Sequence, residues 1–109
     1  MTCERWDVAV VPFPFTEKLG AKKRPALVLS GSAFNHAGHT ILAMITSKGH
    51  SPWPGDTAID DLAAAGLKVS CMVRMKLFTL DNRLILNRIG SLSGTDTERV
   101  RSALRSALP

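Results

Sequence analysis

The chain has 109 residues, 45% apolar and 21% charged, the size and composition of one ordinary globular domain spanning 1–109. Fourteen Lys and Arg against nine Asp and Glu leave a formal charge of +5, which favours a polyanionic partner: nucleic acid, an anionic surface or an acidic protein. No apolar run approaches the roughly 18 residues of a membrane span, no secretory leader opens the chain, and Cys3 and Cys71 form neither a CxxC pair nor a disulfide framework, so a cytoplasmic, non-membrane protein is expected.

In chain order, Val8, Ala9, Val10 and Val11 are small or β-branched and predict a first buried strand. Pro12 and Pro14 cannot donate to a ladder and end it; Phe13 and Phe15 between them read as core cover or as an apolar wall beside a groove. Residues 16–24 are polar, contain Gly20, and exceed a tight hairpin, so a loop returns the chain to an antiparallel neighbour. Glu17 is its only acid. Lys22-Lys23-Arg24 is the densest positive cluster in the sequence, and three adjacent cations repel unless solvent or an anion screens them. Pro25 has no N–H and a fixed φ, which suits the first position of the strand that follows over 25–30. Arg24 then stands where a basic loop meets a rigid strand.

Residues 31–39 predict a connector with one helical turn. Its His36 and His39 lack the clustered Cys, Asp or Glu that would complete a metal site. A third strand covers 40–46 and stops at Thr46-Ser47, followed by a polar loop over 48–55 in which Trp53 lies between two prolines. Residues 56–59 predict a short edge strand, and 60–66 a brief helix with an Asp N-cap and Gly66 as its left-handed terminator. Over 69–77, Val69, Cys71, Val73, Met75 and Leu77 alternate with Ser70, Met72, Arg74 and Lys76, a period-2 strand pattern that sets Arg74 and Lys76 on one polar face. Cys71 then reads as an inert buried thiol. Asp81-Asn82 turns the chain into a strand over 84–92 with Arg88 exposed. Near the C-terminus, Ser93 and Thr95 are overlapping N-cap candidates; Thr95, with Glu98 three residues on, matches the capping box better. Val100, Ala103, Leu104, Ala107 and Leu108 form the stripe of an amphipathic helix, with Arg99, Arg101 and Arg105 facing out. The expected architecture is a mostly antiparallel β domain closed by one C-terminal helix.

Several of these landmarks together resemble the MazF/PemK (Kid) family of toxins from bacterial type II toxin–antitoxin modules. They are Trp6-Asp7-Val8, Phe13-Pro14-Phe15-Thr16, Lys23-Arg24-Pro25-Ala26-Leu27-Val28-Leu29-Ser30, Ala43-Met44-Ile45-Thr46-Ser47, Lys76-Leu77-Phe78-Thr79-Leu80-Asp81 and Gly90-Ser91-Leu92-Ser93. Singly each is weak; in this order and spacing they run nearly end to end, and the proline-rich first loop is similar to the PemK-like branch. The resemblance implies an SH3-like antiparallel β-barrel with a C-terminal α-helix, of the shape shared by CcdB and PemK, working as a homodimer. It implies sequence-specific, ribosome-independent cleavage of single-stranded RNA, chiefly mRNA, without a metal or other cofactor, and neutralisation by a cognate antitoxin. The residues tied to catalysis in the family correspond to Arg24 and Thr46, with Lys22, Lys23, Ser47, Arg74 and Lys76 along the RNA.

Those residue types suit the expected chemistry. Attack of a ribose 2′-OH on its own phosphodiester needs proton removal, neutralisation of a pentacoordinate phosphorane and protonation of the leaving 5′-oxygen. A guanidinium at Arg24 offers planar, bidentate donors to the phosphoryl oxygens. Its pKa makes it an electrostatic stabiliser before it is an acid. A hydroxyl at Thr46 can orient the phosphate. The general base is not assigned by residue type; Glu17 is the only local substitute for the histidine some relatives carry in the first loop. Some relatives also carry Arg-x-Asp in the strand before the Phe-Thr-Leu-Asp-like segment. Here Arg74 is followed by Lys76, so the acid beside Arg74 is missing, and the Arg74-to-Asp81 spacing is one residue shorter than usual. Two other functions share this pattern: a gyrase-poisoning toxin of the CcdB type, against which the tail Leu104-Arg105-Ser106-Ala107-Leu108-Pro109 lacks an aromatic, and an RNA-binding module with a lost active site.

Overall fold

Six strands pair antiparallel in one curled sheet, each where the sequence alternates or runs apolar. They are β1 (Asp7–Pro12), β2 (Lys23–Val28), β3 (His39–Ser47), β4 (Thr57–Ala58), β5 (Cys71–Asp81) and β6 (Asn87–Ser91), in the spatial order β4-β5-β3-β2-β1-β6. Helices α1 (Ser32–His36), α2 (Leu62–Ala65) and α3 (Gly94–Ala107) complete the chain. The structure is a computed structural model and describes residues 1–12, 22–47 and 51–109; Phe13, Pro14, Phe15, Thr16, Glu17 and Gly20 lie outside them, as do residues 48–50 of the loop expected after Ser47. The sheet curls into a half-barrel, and among the described strands β4 and β6 stay separate edges. The expected mainly β fold with a C-terminal helix is therefore borne out.

Strand alternation sends side chains to two cores. On the side of α3, Val8, Leu27, Leu29, Ala43, Ile45, Cys71, Val73 and Val100 are buried together. On the opposite side Cys3, Ala9, Val11, Ala26, Val28, Leu42 and Ile85 form a second cluster edged by Phe78 and Leu80. Burial pushes the Cys3 and Cys71 thiols above their ordinary pKa, the direction of unreactive sulfur.

Several boundaries differ from expectation. Strand β2 begins at Lys23, so Pro25 is its third residue and not its first. The sheet tolerates it because Val10, opposite Pro25, gives its carbonyl to the Leu86 N–H at 3.0 Å on the far side. Val10 and Pro25 are thus a non-hydrogen-bonded pair, and the missing proline N–H faces β3, where pairing starts only at Ala26. Val69 lies outside β5 and is exposed. After a short 3-10 turn at Asn82–Leu84, the chain crosses to the far edge, and β6 pairs with β1.

Helix α3 starts from Ser93 and not Thr95: the Ser93 hydroxyl accepts the Asp96 N–H at 3.2 Å. The Asp96 carboxylate is thereby free to leave the helix and accept the N–H groups of Asp60 (3.1 Å) and Asp61 (2.9 Å) and Arg99 Nη2 (2.6 Å). Arg99 also donates to the Ala58 carbonyl, and Arg101 lies 5.3 Å from the Trp6 ring centroid, so neither simply faces out. Trp6 itself has φ 72 in the turn that precedes β1. Helix α2 has the expected caps: Asp61 accepts the Ala64 N–H at 3.0 Å, and Gly66 is left-handed.

Candidate active site

One end of the sheet gathers the start of β2, the end of β3 and the start of β5. The β2–β3 register sets Ala26 opposite Met44 and Leu27 opposite Ala43. Carried two residues further, the same register sets Arg24 opposite Thr46, on the face away from α3. On β5, Met72 lies opposite Thr46 and Arg74 opposite Met44, which puts Arg74 on that face too. Thr46 and Arg74 are each 8% exposed, whereas Arg24 is exposed at the outer end of β2. With strands about 4.8 Å apart and about 3.4 Å per residue along them, Arg24 and Arg74 stand roughly 12 Å apart at Cα.

The other expected RNA contacts divide. Lys22 is exposed just before β2. Lys23 pairs with Pro12 and Ser47 with Cys71, one step out of phase with Arg24 and Thr46, so both are exposed at strand ends but lean to the α3 side. Lys76 falls in a bulge: Leu77 faces Ala43 and Arg74 faces Met44, so Met75 and Lys76 are two extra residues on β5. Because two residues are inserted, the alternation of faces is kept: Val73, Met75 and Leu77 pack on the α3 side, and Arg74 and Lys76 share the other face as expected. The Lys76 ammonium lies 5.1 Å from the Trp53 ring centroid.

An acid does stand beside Arg74, against the expectation drawn from Lys76. The β4–β5 register pairs Thr57 with Val73, and the next residue outward on each strand is Asp56 and Arg74. Arg74 Nε donates to Asp56 Oδ1 at 3.0 Å and Nη2 to Oδ2 at 2.9 Å, a bidentate pair; Nη2 also donates to the Ser51 carbonyl at 2.8 Å. Asp56 Oδ2 further accepts the Trp53 N–H at 3.0 Å. Burial pushes the Asp56 carboxyl up, but the Arg74 hydrogen bonds, the Trp53 N–H and the Arg74 charge outweigh it and hold the pKa below the usual carboxylate value. The same hydrogen bonds raise Arg74. Asp56 is therefore a fixed carboxylate and a poor base, and its role is to aim Arg74, whose Nη1 has no partner among the described residues. No sequence spacing announced this pair, because 18 positions separate its members; only strand pairing joins them.

Together these groups offer an exposed guanidinium, a hydroxyl, an oriented second guanidinium and flanking lysines on one sheet end, donors suited to a phosphodiester. Among the described residues no group of three or more His, Cys, Asp and Glu side chains could hold a metal ion, and no helix is long and apolar enough to cross a membrane.

A sequence profile described as PemK-like, MazF-like toxin of type II toxin-antitoxin system matches residues 4–108. The chain belongs to that family. Among solved structures, MazF from Deinococcus radiodurans superposes on the toxin with TM-score 0.76 at 23% identity, covering 99% of this chain and 97% of that one. A MazE-MazF complex of the same organism gives TM-score 0.77 at 22% identity, covering 99% and 97%. An endoribonuclease from Mycobacterial species, in complex with its cognate antitoxin, gives 0.74 at 18% identity, covering 98% and 93%. At these identities the likeness carries the fold. No curated protein matches the sequence. In the toxin, the family landmarks Arg24-Pro25 and Thr46-Ser47 fall on adjacent strands at one sheet end, although 22 positions separate the two reactive candidates in the chain.

Proposed function

We propose that the toxin is a ribosome-independent endoribonuclease that cuts single-stranded RNA, chiefly mRNA, at a preferred sequence by attack of the ribose 2′-OH on the adjoining phosphate, without a metal ion. The observation that carries this reading is the placement of Arg24, Thr46 and the Asp56-aimed Arg74 on one face of one sheet end, in a chain of the MazF-like family. Arg24 is the stabiliser of phosphorane charge, Thr46 orients the phosphate, and Arg74 presents Nη1 to it. Lys22, Lys23, Ser47 and Lys76 hold the flanking backbone. Solved relatives that are endoribonucleases or MazE-MazF complexes support the activity and a cognate antitoxin partner. A homodimer, the family's assembly, would use apolar surface of the kind that Phe34, Leu84 and Leu86 expose; the reading places the protein in the cytoplasm with its RNA.

The test is mapping of cuts in a long RNA in EDTA. Wild-type protein is expected to leave 2′,3′-cyclic phosphate ends at recurring sites. Arg24→Ala is expected to lower the rate on the order of 10²-fold or more, the usual effect of deleting one donor to a developing oxyanion. Full cleavage by Arg24→Ala would remove Arg24 from the mechanism, and intact RNA with wild-type protein would sink the enzyme reading.

A further inference from the structure

Trp53 lies outside every helix and strand, yet its position is tightly determined. Pro54 and Gly55 occupy the centre of a four-residue turn, with Gly55 at φ 82, the geometry of a type II turn with proline second and glycine third. The Asp56 N–H closes the turn on the Trp53 carbonyl at 3.1 Å, and the Asp56 carboxylate accepts the Trp53 N–H at 3.0 Å. Asp56 is itself clamped by Arg74. These bonds hold the Trp53 backbone; a tryptophan side chain is usually well buried, but Trp53 remains 39% exposed. The cations beside it are Lys76, at 5.1 Å from the ring centroid, and Arg74, at 5.9 Å, both within cation–π range.

A half-open aromatic ring on a hydrogen-bonded turn, flanked by cations, is a combination that binds single-stranded nucleic acid, since every base has a π-face and every linkage a negative charge. The ring reaches Arg74, which shares a sheet face with Arg24 and Thr46. We propose that Trp53 is a stacking subsite for one base of single-stranded RNA next to the cut, with Lys76 neutralising that nucleotide's phosphate. The subsite rests on the ribonuclease reading for its place beside the scissile phosphate, and it gives the Arg74 and Lys76 face of β5 a shared task at the ring. An acidic protein segment would meet the same cations but could match the exposed indole only where it happened to carry an aromatic side chain, whereas every nucleotide carries a flat base.

The experiment measures binding of a short random-sequence single-stranded RNA with 2′-O-methyl riboses, which cannot undergo 2′-OH attack, across a salt series. Trp53→Ala and Trp53→Leu are expected to weaken binding about 5- to 150-fold, the range found for removing one base–aromatic stack, with the salt slope unchanged. Trp53→Phe should retain most of the affinity. Lys76→Ala should instead lower the salt slope by about 0.7, one phosphate contact. Wild-type affinity in Trp53→Leu would overturn the subsite, because apolar bulk alone would then suffice; so would a wild-type protein that ignores this RNA. Trp53-dependent binding by a protein that leaves unmodified RNA uncut would keep the subsite and remove the ribonuclease reading. Cutting with Trp53-independent affinity would do the reverse.

Discussion

Asp56 and Arg74 show how much one buried pair decides. Arg74 is nearly enclosed, and an enclosed guanidinium is tolerated only with its counter-charge and hydrogen bonds satisfied. Asp56→Asn removes the charge but keeps the shape, and it is expected to destabilise the protein by about 3 kcal/mol in chemical denaturation near neutral pH. Because the folded pKa of Asp56 is lowered, its contribution is fully present above the unfolded carboxylate value of about 3.9 and is lost as pH falls through the lower folded value. Asp96 acts in the same sense: burial raises it, but the Asp61 N–H, Arg99, the Asp60 N–H and Ser93 together bring it below its usual value. Wild-type and Asp56→Asn stabilities should therefore converge as pH falls below the ordinary carboxylate range, and a gap that does not narrow with falling pH would contradict the linkage.

At the scale of elements, the sequence marked most starts and stops, and the misses have local causes. The Asp61 cap and the Gly66 terminator of α2 were legible because both act within one turn of their own residue. The start of α3 was not, because Thr95 with Glu98 fits the capping box better by pattern, whereas Ser93 caps a helix whose Asp96 serves the distant Asp60 and Asp61 N–H groups. Similarly, nothing in the alternation over 69–77 signals the extra Met75 and Lys76, which exist only relative to β3. Gly66 and Gly94 separate backbone need from mere tolerance. A Cβ on left-handed Gly66 would sit 2.1 Å from the Ile89 carbonyl oxygen, whereas one on Gly94 meets nothing within 4 Å. Gly66→Ala is expected to cost about 2 kcal/mol or more, from strain and overpacking against β6. Gly94→Ala, in the first turn of α3, should be neutral or stabilise by up to about 1 kcal/mol. Thermal denaturation of the two variants checks the contrast; equal shifts would refute it.

Across the whole molecule, charge and topology act together. The +5 charge is spread over the chain, but the fold brings Lys22, Lys23 and Arg24 to the sheet end that also holds Arg74 and Lys76. Binding of single-stranded RNA should accordingly weaken with salt, by a slope of about 0.7 per phosphate neutralised. The double variant Lys22→Ala, Lys23→Ala should flatten that slope by about 1.4 while leaving the cut positions in a long RNA where they were. Shifted cut sites would mean that these lysines read sequence and do more than hold the backbone.

The sequence by itself determined most of the elements and the family, and it nominated Arg24 and Thr46, because strand alternation, cap residues and short motifs such as Arg24-Pro25 and Thr46-Ser47 are local signals. It left Arg74 without its acid, Lys76 as a plain polar-face residue and Trp53 as a loop residue between two prolines. Only the tertiary structure decided these. The partners Asp56 and Arg74 meet through the β4–β5 register, Lys76 lies beside Trp53 from a strand remote in the chain, and the turn that carries Trp53 is tied by its backbone to the Asp56 of that pair. Each is a contact between residues remote in the chain, and such contacts arise from packing and register, which leave no periodic trace in the order of residues.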